Sequence, residues 1–438
     1  MRFKQYPLYK DSNISWLNKV PKHWEIIKLK KVASLKSGES ITAENIHAKG
    51  KYPVYGGNGL RGYTDSFTHA GNFILIGRQG ALCGNINYAK NNFWASEHAI
   101  VVTPLRKTNS TWLGELFRSM NLNQYSLSAA QPGLSVSTIH DLSIPYPSYD
   151  EQNLIEAFLN RNLKKFDTLI AEQKKLITLL TEKRQAIISH AVTKGLDPDV
   201  PMKDSGVAWV GEIPAHWNIK SFKNCIDFQE GPGILASDFI SEGIPLIRIS
   251  GMQKKYVSLD GCNYLDPNKV SNRWNHFRLK KDDLLISASA SMGMICEVDE
   301  KTEEAIAYTG LIRLRAKENF ILKSYIKLFI NSILFLTQID FAKTGATIQH
   351  FGPTHLNKMF ILLPSVSEQS HIIAKIDHET SKIDKLITEV NRAIELLKER
   401  RTALISAAVT GKIDVRDITP DLPMESSPDV QFTPGTTL

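Results

Sequence analysis

Basic and amide side chains sit beside aromatic ones in two glycine-punctuated regions of the chain. The first holds Asn58, Arg61, Arg78, Gln79 and Asn85, next to Tyr55 and Tyr63 and around the turns Gly56-Gly57-Asn58-Gly59 and Gly77-Arg78-Gln79-Gly80. The second holds Arg248, Lys254, Lys255, Asn272, Arg273 and Gln349, beside Tyr256 and Trp274. Arginine can grip guanine with two hydrogen bonds, asparagine or glutamine can do the same for adenine, and lysine commonly holds phosphate. Ordinary surface polarity would explain any one of these residues alone. Two separated sets, each threaded with aromatics, make them candidates for contacting DNA.

Catalytic constellations are not read. G-x-x-x-x-G-K-[ST] and H-E-x-x-H are missing, and G-x-G-x-x-G after a strand is read as missing too, so neither a dinucleotide site nor a zincin is expected. The nucleophile turn G-x-S-x-G does not occur, nor does the Asn/Asp-Pro-Pro-aromatic run by which amino-methyltransferases hold an extruded base. Glu172-Gln173-Lys174 has nuclease-like spacing but falls in a heptad pattern, where a solvated charge run is expected. His23 and His216 lie between a proline and a tryptophan with no acid nearby in sequence, so packing is expected rather than metal binding. No catalytic residue and no metal ligand is assigned, and the chain is expected not to be an enzyme by itself.

The elements that must position the two polar sets follow from size and repetition. The chain has 438 residues, 42% hydrophobic and 22% charged, enough for two to four domains with buried cores. Net charge is +8 and the pI is near 9.0, compatible with nucleic acid. No apolar run approaches the roughly 20 residues of a membrane span, and the opening residues lack a signal-like block, so a cytoplasmic location is expected. Cys83, Cys225, Cys262 and Cys296 form no CxxC pair and are expected to be reduced thiols.

The chain repeats itself. Lys10-Asp11-Ser12, Trp16, Pro21 and His23-Trp24 return 193 residues later as Lys203-Asp204-Ser205, Trp209, Pro214 and His216-Trp217, with 7 of 15 positions identical. A second segment, Glu151 to Thr193, returns 217 residues later with 20 of 43 positions identical. Both copies of that second segment read as long helices with apolar residues at alternating steps of four and three. In the first copy the seam is Leu159, Leu163, Phe166, Ile170, Ile177, Leu180 and Ile187. In the second it is Ile376, Ile383, Ile387, Val390, Ile394, Leu397 and Leu404. Gln173, Arg184 and Arg401 interrupt it. One helix leads away from a first domain and its copy must return, so an antiparallel coiled coil is expected. Leu169, Leu176, Leu179, Leu386 and Leu396 are left on flanking faces, for partner subunits or for covering the domains.

The resulting fold class is mixed α/β (α+β), with two related domains separated by two long helices in a pseudo-two-fold internal duplication. The expected divisions are 1–148, a first variable domain; 149–196, a helix; 197–365, a second variable domain; 366–414, a second helix; and 415–438, a disordered tail. Phe73–Ile76, Ala99–Val102, Leu284–Ile286 and Leu311–Leu314 are expected as buried strands, and Trp112–Met120 and Ser324–Phe335 as helices.

This sequence resembles the specificity subunits of type I restriction–modification systems. The carriers are Asp11-Ser12…Trp16…Pro21-x-His23-Trp24 and its copy, together with Pro147-x-x-x-Glu151-Gln152 and Pro364-x-x-x-Glu368-Gln369. Tyr52-Pro53-Val54-Tyr55-Gly56 and Glu242-Gly243-Ile244-Pro245-Leu246-Ile247-Arg248 also resemble target-recognition domains of that family. The resemblance implies two target-recognition domains, each binding one half of a bipartite, asymmetric site in double-stranded DNA. It implies that the helices set the spacer and dock two modification (methyltransferase) subunits, which carry S-adenosylmethionine and methylate adenine at N6. Two restriction subunits would add an ATP- and Mg-dependent translocating nuclease, and this chain would hold no cofactor. The second domain departs from the first by having Ser287-Ala288-Ser289-Ala290-Ser291-Met292-Gly293 where the first has Gly77-Arg78-Gln79-Gly80. The alternatives are a coiled-coil scaffold that does not read DNA, or a methyltransferase chain with unrecognised motifs.

Overall fold

The computed structural model describes residues 3–80, 82–126, 132–252, 255–288, 294–317, 320–343 and 351–417. Two compact units emerge: Met1–Gln173 with Arg392–Leu438, and Lys174–Asn391. The division therefore runs through the middle of both long helices, so that half of each helix belongs to each unit.

Among its described residues the first unit contains four small sheets. Tyr9–Ile14 and Leu17–Pro21 form a hairpin, and Glu25–Lys28 pairs with Ser143–Tyr146, which closes the domain by bringing its last strand to the strand that follows the hairpin. A four-stranded antiparallel sheet has the spatial order Ala33–Ser37, Ala99–Pro104, Phe73–Gly77, Ile86–Ala89. Phe73–Gly77 has a neighbour on each side and a core on each face, which is why it reads as an unbroken apolar run. The fourth sheet runs Gly59–Thr64, Tyr52–Gly56, Asn92–Ala95, His69–Ala70, with Val54 and Trp94 paired in parallel strands.

The second unit repeats this plan strand for strand in most places. Met202–Asp204 pairs with Glu212–Pro214, and Asn218–Ser221 with Phe360–Leu363. Its antiparallel sheet runs Ile226–Glu230, Leu311–Ala316, Leu284–Ser287, Ile295–Glu297. Its last sheet runs Phe239–Ile240, Asn263–Leu265, Ile244–Ile247, Ile306–Ala307, and again holds one parallel pair, Leu246 with Ile306. Cores form around Trp24, Trp112 and Phe117 in the first unit and around Trp217, Phe222, Phe329 and Phe335 in the second. The expected helix over Ser324–Phe335 is two helices, Lys323–Ile330 and Ile333–Lys343. Asn331 and Ser332 break it by turning their side chains onto the Lys327 and Phe329 carbonyls, and Ser332 Oγ then accepts the Phe335 N–H.

The long helices are Tyr149–Lys194 and Val366–Val409, 46 and 44 residues. Ser148 and Ser365 accept hydrogen bonds from the first-turn amides of Glu151 and Glu368, the ordinary start of a helix. Between Leu163 and Arg184 only the heptad positions are half-buried, and the positions between them are exposed. In the first unit Ile155, Phe158 and Leu159 share a core with Leu404, Ile405 and Ala408; in the second, Ile188, Ala191 and Val192 share one with Ile372 and Ile376. Within each unit, higher numbers on one helix meet lower numbers on the other, so the packing is antiparallel. Arg401 and Arg184 do more than interrupt the seam. Arg401 donates to Asp167 at 3.0 Å, and Arg184 to Asp384 at 3.1 Å, the same pair in each copy. Thr380 takes the seam position of Leu163 and is buried, its hydroxyl bonded to the Ile376 carbonyl one turn back.

The duplicated motifs meet where each domain joins its helix. His23 Nε2 lies 2.9 Å from Glu151 Oε2, and Trp24 Nε1 donates to Glu151 Oε1 at 3.0 Å. His216 and Trp217 do the same to Glu368, both at 2.9 Å. The acid missing beside these histidines in sequence is thus supplied by the helix start, and they are hydrogen-bonded rather than merely packed. The next residue secures the domain helix: Gln152 Oε1 accepts the Asn109 N–H, and Gln369 Oε1 the Leu322 N–H, both at 2.8 Å. Gly411 and Gly195, each with φ +77°, end the long helices against Trp24 and Trp217 respectively.

The expected tail does not begin at 415. Val415 is buried, Arg416 lies 4.9 Å from the Tyr6 ring and pairs with Asp414, and Asp417 pairs with Lys4. Residues 418–438 lie outside the described residues. Among the described residues no helix is long and apolar enough to cross a membrane. The four cysteines are free.

Candidate nucleic-acid interface

In the first unit the fold gathers all five polar candidates. The hairpin after Tyr52–Gly56 carries Asn58 in its turn and Arg61 on its returning strand, and Asn85 donates to Asn58 Oδ1 at 3.2 Å, joining that turn to the loop after Phe73–Gly77. Arg78 and Gln79 lie on the same loop. Its backbone is held on two sides: Arg78 N–H donates to the His98 carbonyl, and the Arg78 carbonyl accepts from Leu134 N–H. Gln79 Oε1 lies 3.0 Å from His98 Nδ1. Asn58, Arg61 and Gln79 are exposed and Arg78 and Asn85 half-buried, so the cluster faces outward. Gly57, Gly59 and Gly62 do carry the G-x-G-x-x-G spacing directly after a strand, contrary to expectation. They turn a hairpin into Gly59–Thr64 instead of opening a helix, so no dinucleotide site results.

The second unit supplies the same main-chain frame with different side chains. Ser96 N–H donates to the Tyr55 carbonyl, and Tyr308 N–H to that of Ile247. Gly38 N–H donates to Ala99, and Gly231 N–H to Leu311. Arg78 N–H and Ala288 N–H donate to His98 and Gly310, while Leu134 and Phe351 donate back to Arg78 and Ala288. Gly38 and Gly231 are required there, since a methyl group on either would collide with the carbonyl of Ala95 or Ala307. These bonds place Ala288 where the first unit has Arg78, and Arg248 where it has Gly56. Tyr308 stands where it has Ser96, and Gly310 where it has His98.

Of the second set, Arg248 is anchored best: it donates to Asn263 Oδ1 at 3.0 Å and lies 5.6 Å from the Tyr308 ring centre. Arg273 and Lys255 are exposed, over the rings of their sequence neighbours Trp274 and Tyr256 at 6.0 and 5.0 Å. Asn272 is exposed on the short π-helix Val270–Trp274. Lys255 lies on a different stretch, whose carbonyl accepts from Glu297 N–H. Lys254 and Gln349, with Ser289 to Gly293, lie outside the described residues. Sequence reasoning missed His98, Asn263 and Tyr308. Only Gly38 and Gly231 left a sequence signal, being 193 residues apart like the amino-terminal motif.

The model of the type I restriction modification DNA specificity domain matches the chain twice, over residues 21–179 and 214–396. The chain belongs to this family. It is a type I specificity subunit with two DNA specificity domains, and each match opens at the proline of the Pro-x-His-Trp motif. The EcoprrI specificity subunit of Escherichia coli is 41% identical over 177 residues, 39% of this chain and 42% of that subunit. The MjaVIII specificity subunit of Methanocaldococcus jannaschii is 22% identical over 434 residues, 94% of this chain and 98% of that subunit. A solved chain, described under complex assembly and conformational transition of the type I R-M system, superposes with a TM-score of 0.61 at 16% identity. It covers 90% of this specificity subunit and 99% of its own length, a likeness of fold.

Proposed function

We propose that this specificity subunit reads one bipartite, asymmetric site in double-stranded DNA, each domain contacting one half. The observation that carries this is the shared frame with exchanged side chains: Arg78 against Ala288, Gly56 against Arg248, Ser96 against Tyr308. Two readers of unlike half-sites need the same scaffold and different functional groups on it. Asn58, Arg61, Arg78, Gln79 and Asn85 would serve one half, and Arg248, Lys254, Lys255, Asn272, Arg273 and Gln349 the other.

In this reading the paired helices hold the half-sites a fixed spacer apart and dock two modification subunits. Leu169, Leu176, Leu179, Leu386 and Leu396 are each more than 40% exposed on those helices, which leaves them available to partners rather than to the domains. The chain itself is non-catalytic and works in the cytoplasm. S-adenosylmethionine, ATP and Mg belong to the modification subunits and to two restriction subunits. The test is to replace Arg78 and Arg248 separately by alanine and map methylated adenines in cells carrying the whole system. Arg78→Ala should relax one base pair of one half-site and Arg248→Ala one of the other, each by roughly 5- to 100-fold in discrimination. Relaxation of the same half-site by both would refute the division of labour.

A further inference from the structure

The strand pairs that carry Arg61 and Arg248 are built differently. In the first unit the pairing of Tyr52–Gly56 with Gly59–Thr64 shifts by one residue. Val54 lies opposite Gly62 and Tyr55 opposite Leu60, so Arg61 is an extra residue with no partner across the pair. A bulge of this kind re-aims its side chain. Here the side chain lies over Gly56: a Cβ on that glycine would stand 2.4 Å from Arg61 Cδ and 3.6 Å from its Nε. In the second unit Ile244–Ile247 and Asn263–Leu265 keep one register, with Leu246 opposite Asn263.

Gly56 and Arg248 hold the same place in the main-chain frame. Val54 pairs in parallel with Trp94 and Leu246 with Ile306, and two residues further along come Gly56 and Arg248. Arg248 continues its strand with φ −111° and ψ 171°, so its side chain leaves on the face of Leu246. In the second unit an arginine thus grows from this place. In the first unit the place is a glycine, and the stem of an arginine from the neighbouring strand fills it. Arg61 Nε then lies within the reach that an arginine on residue 56 would itself have. Both side chains are exposed, and Arg248 gives one N–H to Asn263 Oδ1. A guanidinium carries five donors and no acceptor, so its polarity is the same however it is turned. The base edge it fits with two bonds is the pair of acceptors O6 and N7 of guanine.

We propose that Arg61 and Arg248 are counterparts: each domain sets a guanidinium at the same place on the shared frame, one from a bulge and one from the strand, and with it reads a guanine in its own half-site. The change from Gly56 to Arg248 is then a change of supplier, while Arg78 against Ala288 remains a difference between the readers. This rests on the reading of both domains as DNA readers. It adds a feature that two otherwise unlike half-sites share, a G·C pair contacted by arginine.

The experiment maps methylated adenines in cells carrying the whole system, with the chain unaltered, as Arg61→Ala, as Arg248→Ala, or as Gly56→Arg with Arg61→Ala. Arg61→Ala should relax a G·C pair of one half-site and Arg248→Ala a G·C pair of the other, each by roughly 5- to 100-fold in discrimination. The double variant supplies the first domain's guanidinium as the second domain does. The three atoms nearest to a Cβ on residue 56 all belong to Arg61, the farthest at 3.6 Å, and Gly56 has no left-handed backbone angle, so an arginine fits once Arg61 is gone. It should restore discrimination at the pair that Arg61→Ala relaxed, a rescue that a merely structural Arg61 would not show. A double variant that melts like the parent yet stays relaxed would overturn the shared place. If the double variant melts early, the single variants decide. Relaxation at an A·T pair by either, or by Arg248→Ala alone, would overturn the proposal while the reading of DNA stands. Uniform loss of methylation with no position relaxed would make both arginines phosphate contacts and overturn the base assignment. If neither variant changes methylation, the DNA interface does not lie on these loops and both readings fall.

Discussion

Glu151 shows how much one duplicated residue can carry. Its carboxylate accepts from Trp24 Nε1, from Tyr6 Oη at 2.5 Å and from His23 Nε2, and burial beside that charge pushes the Tyr6 hydroxyl above its usual range. Among the described residues the Glu368 carboxylate has only His216 and Trp217 as hydrogen-bond partners, and its side chain is 27% exposed against 6% for Glu151. Removing either acid strands a buried indole N–H, and removing Glu151 also strands a buried phenol, at about 1–3 kcal/mol for each group. Glu151→Ala should therefore destabilise its unit by about 2–5 kcal/mol and Glu368→Ala its own by about half that. Thermal unfolding followed with limited proteolysis would show the order. Equal losses would mean that Tyr6 contributes nothing through this bond.

At the scale of elements, the helices raise the question of whether their length is read out. At roughly 1.5 Å per residue they span about 65–70 Å. The ion pairs Asp167–Arg401 and Arg184–Asp384 each lie within one unit, and Lys174 and Asn391 are the first and last residues of the second unit. Four residues inserted at both places would leave each pair intact while lengthening the helices by about 6 Å, nearly two base pairs at about 3.4 Å each. The seam would slip by about 40°, so some stability should be lost. The half-sites should stay the same and the nonspecific spacer grow by one or two base pairs, as methylome sequencing would show. An active variant with an unchanged spacer would reduce the helices to a docking surface.

At the scale of the molecule, the duplication predicts modularity. Each domain is closed by its own strand pair, Glu25–Lys28 with Ser143–Tyr146 and Asn218–Ser221 with Phe360–Leu363, and each is joined to its helix by the same Glu-Gln contacts. Exchanging Pro21–Ser148 for the matching region of another specificity subunit should change one half of the methylated site only. A change in both halves of an otherwise active hybrid would show that the domains do not read independently.

The sequence alone determined the duplication, the mixed fold and the two long helices. Those features rest on local periodicity and on identities at a constant offset, such as Leu159 to Ile187 recurring as Ile376 to Leu404. Tertiary structure decided the rest because the offset is not constant inside the domains. It is 193 at Gly38 and Gly231, 210 at Gly77 and Ser287, and 217 at Leu134 and Phe351, so no single shift aligns the loops. Only the strand registers reveal that Ala288 replaces Arg78 and that Arg248 arises where the first domain has Gly56. The clasp of His23 and Trp24 on Glu151 was hidden for the same kind of reason. Its halves lie 127 and 128 residues apart, and hydrogen bonds across such distances leave no periodic trace.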